Sequence, residues 1–236
     1  MVEATFKLRA ALARPAWLGQ GLAGFIPDES HGEPKDRAAV PADCQAFLVI
    51  DAGAPDAGPE QLAEVLRRQS VASVLLRGAP TREQVAACQG QGAAALVEGD
   101  ARLALELAAD GVHLPHNDDA EAAVLAYREA RALLGAGRIV GASAGLVRHN
   151  AMELGELGAD YVGFELTADE AAGLELVAWW TEIFVVPCVA FSATSPEQAA
   201  RLAEAGADFV AAGPQGGVAG AIGVLASIGV PQGAKS

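Results

Sequence analysis

The sequence predicts a single-domain (β/α)8 barrel, and three observations carry that expectation. The length of 236 residues is close to the ~250 typical of one such barrel. Eight short apolar runs alternate with stretches whose apolar residues recur every three or four positions. No G-x-G-x-x-G follows the first run, where Asp51-Ala52-Gly53-Ala54-Pro55 stands instead, which argues against an open doubly wound sheet.

In chain order, strands are expected near 46–50 (AFLVI), 71–76 (VASVLL), 93–97 (AAALV) and 111–114 (GVHL). Four more are expected near 138–142 (RIVGA), 160–164 (DYVGF), 183–190 (IFVVPCVA) and 208–212 (DFVAA). Helical spacing fills the gaps, as in Leu62, Val65 and Leu66, or Ala199, Ala200, Leu202 and Ala203. Strand and helix repeated eight times is the mark of parallel βα units, and the even spacing favours the closed TIM-barrel arrangement. Asp110, Asp160 and Asp208 each precede a strand after an alanine. They fall on the N-terminal face of such a barrel, where structural roles concentrate. Residues 1–44 lack the rhythm and read as an irregular N-terminal extension to a barrel domain over 45–236.

Composition narrows the function. Lys and Arg number 16 against 30 Asp and Glu, a net charge of −14, and no basic patch is interleaved with aromatics. Nucleic acid and anionic membrane are therefore excluded as expected partners. The longest apolar run, Ile183 to Phe191, is nine residues and contains Pro187, far short of a membrane span. The charged residues Glu3, Lys7, Arg9 and Arg14 interrupt any signal-peptide core, so a cytoplasmic location is expected. Cys44, Cys88 and Cys188 are too scattered for a disulfide framework or a metal cluster and read as small buried hydrophobes.

In this architecture the functional groups follow the strands. They are Asp51, Arg77, Glu98 with Asp100, His113, His116, Asn117, Asp118, Ser143, Glu165, Ser192 with Thr194, and Gly213 with Gly216 and Gly217. Arg77 suits a phosphate or carboxylate, or else a salt bridge to Asp51 or Glu98. Glu98, Asp100 and Asp118 offer hard oxygens for one Mg2+; the alternative is that Asp100 and Asp118 cap the helices they precede. His113, at an apolar strand end, reads either as a ligand contact or as a packed, hydrogen-bonded core residue. The glycines from Gly213 to Gly217 open the last helix, where barrels commonly bind phosphate, or they form a plain tight turn. Arg77, Asp100, Asp118 and Ser143 are expected to share one cavity.

Residues 71 to about 213 resemble thiamine phosphate synthase, a barrel enzyme that joins a hydroxymethylpyrimidine diphosphate to a thiazole phosphate. Leu103 to Leu114 (LALELAADGVHL) is similar to that family's LAL…ADGVHLGQ segment. Gly141-Ala142-Ser143-Ala144 resembles its G-V-S-x-H turn, and Gly158 to Gly163 its GADYVG. The resemblance implies catalytic roles for Arg77 and Ser143, Mg2+ as cofactor on Asp118 with Asp100 and Glu98, and a phosphorylated small molecule as partner. Substrate or phosphate contacts are expected at His113, His116, Ser192, Gly213, Gly216 and Gly217, and a homo-oligomer is expected. Departures accompany the resemblance. Ala79 stands where the family has a lysine after strand two, and Gly145 stands for its histidine. The stretch from Glu165 to Glu170 replaces its T-x-T-K loop, and Ser192-Ala193 replaces its paired glycines. Diphosphate departure needs cationic charge where negative charge develops. A diverged member with weak or absent transfer is therefore expected. The alternative class is a ligand-binding or protein-interaction barrel, or a different enzyme acting on a phosphorylated metabolite.

Overall fold

The computed structural model describes residues 44–166, 169–213 and 216–228. The expected N-terminal extension lies outside these residues apart from Cys44. The chain runs β1 (Gln45–Asp51), α1 (Pro59–Arg68), β2 (Ser73–Arg77), α2 (Arg82–Gly90), β3 (Ala94–Glu98), α3 (Ala101–Glu106), β4 (Gly111–Leu114) and α4 (Ala120–Leu134). It continues β5 (Ile139–Ser143), α5 (Arg148–Glu156), β6 (Tyr161–Glu165), α6 (Glu170–Ile183), β7 (Cys188–Ala193), α7 (Pro196–Glu204), β8 (Phe209–Ala212) and α8 (Gly217–Val224). The strands pair in sequence order, and β8 closes on β1 to complete the barrel. All eight pairings are parallel, as the alternating pattern requires.

Strand alternation divides the apolar residues into two cores. Phe47 and Val49 point into the barrel with Leu75, Leu96, Ile139, Tyr161, Phe191 and Phe209. Ala46, Leu48 and Ile50, one residue out of phase, point outward to meet the helices. Side chains mark the helix starts. Thr81 and Gln84 form a reciprocal capping box on α2, and Asp119, Asp169 and Ser195 cap α4, α6 and α7, each satisfying otherwise orphaned amides. The three cysteines are buried and free, and burial pushes the thiols of Cys44 and Cys88 up to about 12. Among the described residues no helix is long and apolar enough to cross a membrane.

The alanine–aspartate pairs act at the N-terminal rim. Asp110 Oδ2 accepts from the amide of Ala95 on β3 at 2.8 Å. Asp160 Oδ2 accepts from Val140 on β5 at 2.8 Å, and Asp208 Oδ2 from Cys188 on β7 at 2.9 Å. Each carboxylate thus binds a backbone donor of the preceding strand, a charge-assisted hydrogen bond. Arg131 adds an ion pair to Asp160 at 2.5 Å.

One strand departs from expectation. The run 183–190 reads as strand seven, but Ile183 closes α6 and β7 begins at Cys188. Phe184 stacks on Trp180, with ring centroids 4.1 Å apart, and the Trp180 indole donates to the Val186 carbonyl at 2.8 Å. Helix packing therefore claims the first half of the run, and Pro187 supplies no amide for a ladder there.

Candidate active site at the C-terminal mouth

Inward-pointing residues of β4, β5 and β6 form a polar chain that runs from Tyr161, at the start of β6, up to Glu165 at its end. His113 on β4 lies with Nδ1 2.9 Å from the Tyr161 hydroxyl and Nε2 3.3 Å from Ser143 Oγ. Ser143 in turn donates to Glu165 Oε1 at 3.2 Å. The serine has a single proton, so its direction sets the rest. His113 donates through Nε2–H to Ser143, and its bare Nδ1 accepts from Tyr161. The electrostatics agree with this order. Burial, with help from the Arg77 charge, lowers the His113 pKa to about 3, so the imidazole is neutral at physiological pH. Burial likewise holds the Tyr161 pKa well above its ordinary value, which keeps the phenol a donor. Two glycines make room for the chain. A Cβ on Gly141 would lie 2.0 Å from the Tyr161 ring, and one on Gly163 would lie 2.8 Å from Ser143 Oγ.

Arg77 is the only lysine or arginine in the eight strands. Its Nε donates to Glu98 Oε1 at 2.6 Å, so of the two expected acids Glu98 is the one it engages. Asp51 pairs with Arg77 in strand register but turns its Oδ1 to the Gly53 amide at 3.0 Å. Arg77 also lines a cavity of about 190 Å3 with Ser192, Ala193, Thr194 and Gly213. Its wall includes an irregular β7–β8 pairing between Ala190 and Ala193, and Ser192 adopts φ +70°, a left-handed conformation uncommon outside glycine. Arg77, Ser192 and Gly213 are therefore brought together.

The carboxylates expected to share Mg2+ are not. Asp100 Oδ1 accepts from the amides of Arg102 and Leu103, both at 2.9 Å, because α3 begins directly after it and turns it toward its own helix. Asp118 is fully exposed, with its Oδ1 3.2 Å from His116 Nε2, and the cap of α4 is its neighbour Asp119. Glu98 is committed to Arg77. Among the described residues no three metal-ligating side chains cluster. This arrangement does not fit the shared ion.

The expected single cavity is divided. Ser143 and His116 line a separate space of about 230 Å3, while Asp100 faces a groove between α3 and α4. His116 covers Gly145, where a Cβ would meet its ring at 2.8 Å. A histidine from the neighbouring loop thus fills the volume above the position where the family's histidine is missing.

The start of α8 differs from the expected open anion site. The Val218 amide donates to Asp56 Oδ2 at 2.7 Å, and a Cβ on Gly217 would meet that carboxylate at 2.3 Å. The chain's own β1–α1 loop supplies the anion that the helix N-terminus favours. Gly217 leaves room for the approach of Asp56, a residue absent from the sequence-based candidates because its partner lies 162 positions away. Asp56→Ala is expected to lower stability by about 1.5–3 kcal/mol, the range for a hydrogen bond to a charged group. Asp56→Asn should lose less, and urea denaturation reads both.

Fold and mouth together define a (β/α)8 barrel with one strand-borne arginine beside a small cavity and a Tyr–His–Ser–Glu chain that reaches its C-terminal face. The chain belongs to the thiamine monophosphate synthase family, whose profile matches residues 48–214. It is 36% identical over 180 residues to the thiamine-phosphate synthase of Rhodospirillum centenum, covering 72% of this chain and 81% of the relative. It is 40% identical over 135 residues to that of Erythrobacter litoralis, covering 53% of this chain and 61% of the relative's length. The thiamine phosphate pyrophosphorylase of Pyrococcus furiosus superposes with a TM-score of 0.60 over 80% of this chain and 93% of that one. At 24% identity that is a likeness of fold.

Proposed function

We propose that this chain binds a phosphorylated small molecule of the thiazole or pyrimidine type at its C-terminal mouth and transfers with diphosphate release slowly or not at all. Arg77 holds the phosphate in the cavity it shares with Ser192 and Gly213, and Ser143 orients Glu165 through its hydroxyl group. The carrying observation is the charge at the mouth. The sole cation of the strands is already bonded to Glu98, Asp51 ends the adjacent strand β1, and Glu165 ends β6 across the barrel. Ala79 and the acidic stretch from Glu165 to Glu170 supply none of the positive charge that a departing diphosphate needs. Losing one preorganised electrostatic contact typically costs ~10²–10³-fold in rate, and losses within one site are not additive.

Mg2+ is the cofactor the family suggests, and it is included in the test although Glu98, Asp100 and Asp118 stand apart. A steady-state assay with Mg2+, hydroxymethylpyrimidine diphosphate and thiazole phosphate is expected to give turnover far below ~1 s⁻¹, in the range of ordinary enzymes. A thermal shift with thiazole phosphate alone is expected to be positive. Turnover at ~1 s⁻¹ or faster overturns the proposal of weak transfer, and the absence of any shift overturns the binding.

A further inference from the structure

We infer that Glu165 is a preorganised acceptor that selects a ligand carrying a cationic or N–H donor group in addition to its single phosphate. This rests on the reading of the Arg77 cavity as the phosphate site and adds the chemistry of the ligand's other end. The carboxylates near the mouth are engaged in different ways. Glu98 is bonded to Arg77, Asp51 Oδ1 to the Gly53 amide, and Asp100 Oδ1 to two helix amides. Glu165 receives Ser143 on Oε1, and its Oε2 has no partner among the described residues.

The oxygen that is engaged is held from behind by a fixed chain. Tyr161, His113 and Ser143 are 1%, 2% and 3% exposed, and each link donates in one direction, from Tyr161 to His113 to Ser143 to Glu165. Such a chain sets the serine rotor and with it one edge of the carboxylate, leaving the other edge, part-exposed, to face a ligand. A rigid acceptor of this kind favours a donor and repels an anion, because no reorganisation is available to relieve a mismatch. Its place fits a bipartite ligand. Glu165 pairs in register with Phe191, the residue directly before Ser192, which lines the Arg77 cavity. A second phosphate extending toward β6 would meet Glu165, whereas an ammonium group, a protonated ring nitrogen or an exocyclic amine would form a charge-assisted hydrogen bond there.

The experiment compares two probe series on the full-length protein by calorimetric titration. One is ω-aminoalkyl phosphates of two to six carbons, and the other is unsubstituted alkyl phosphates of matched length. The wild type is expected to bind at least one aminoalkyl phosphate roughly tenfold or more tightly than its alkyl counterpart, the scale of one charge-assisted hydrogen bond. Glu165→Gln retains an acceptor for Ser143 and so preserves the fold. It is expected to reduce that ratio to threefold or less without weakening the alkyl series, with an unchanged melting temperature as the control. Arg77→Ala is expected to weaken both series together. Equal binding of the two series at every length overturns the inference and leaves the phosphate site intact. A preference that survives Glu165→Gln overturns the assignment to this residue. If neither series binds, or both bind Arg77→Ala as well as wild type, the phosphate site itself fails and the inference falls with it.

Discussion

Replacing Trp180 with alanine is expected to lower the unfolding free energy by about 3–5 kcal/mol, the range for removing a large aromatic side chain from a core. Trp180 is completely buried. Its ring meets Phe164 edge-on at 5.7 Å and stacks on Phe184 at 4.1 Å, and its indole nitrogen satisfies the Val186 carbonyl. Alanine removes the contact area and leaves that carbonyl without its donor, two losses that act in the same direction. Trp180→Phe keeps most of the area and should lose markedly less. Urea denaturation of the three proteins decides the matter, and a loss under 1 kcal/mol for the alanine variant would show that the surrounding helices close the gap.

The second large effect is expected at Gly213, where alanine should cost about 2–6 kcal/mol and abolish phosphate binding beside Arg77. Its φ of +121° lies in a region that side chains rarely adopt, worth ~1–3 kcal/mol of strain. A Cβ there would stand 2.0 Å from the Val49 carbonyl oxygen, and overpacking of this kind adds ~1–3 kcal/mol. The carbonyl cannot retreat easily, because Val49 is held in β1 opposite Leu75 of β2. Thermal unfolding tests the first part and titration with inorganic phosphate the second. A folded Gly213→Ala protein that binds phosphate as tightly as wild type would remove Gly213 from the site.

The sequence was most informative where the physics is local and periodic. Seven of the eight strands lie within about three residues of their apolar runs, because inward and outward faces alternate residue by residue. β7 was misplaced because an unbroken apolar run carries no period, and only tertiary contacts of Trp180 and Phe184 decide that its first half belongs to a helix and its link. At the mouth, the order of residues along the chain identified Arg77, Ser143, Ser192 and Gly213, since a strand end must face the C-terminal side. Which of them meet was not legible. His113 could be read as core or as site, and it is a buried residue hydrogen-bonded to Tyr161 and Ser143. Tyr161 was missed, although its alternation with Gly163 and Glu165 places it on the inward face. Asp56 gave no local signal at all. Asp100 resolved toward its simpler alternative, a helix cap, because cap geometry is set within three residues whereas a shared ion needs two loops to converge.

The aspartates at the N-terminal rim give the barrel a grain. Each one lashes an even-numbered strand to the odd-numbered strand before it, β4 to β3, β6 to β5 and β8 to β7. Ala72 stands at the corresponding place before β2, so the β1–β2 doublet has no such lash. Thus three quarters of the ring consist of doublets, each with an internal clasp. Slipping an even strand by one residue would carry its aspartate past the amide it binds, so the clasp also fixes registration within each doublet. A two-strand unit copied or transplanted whole carries its own clasp, while a cut within a doublet severs it. By that measure six of the eight staves come in pairs, and each of those pairs carries its own alignment.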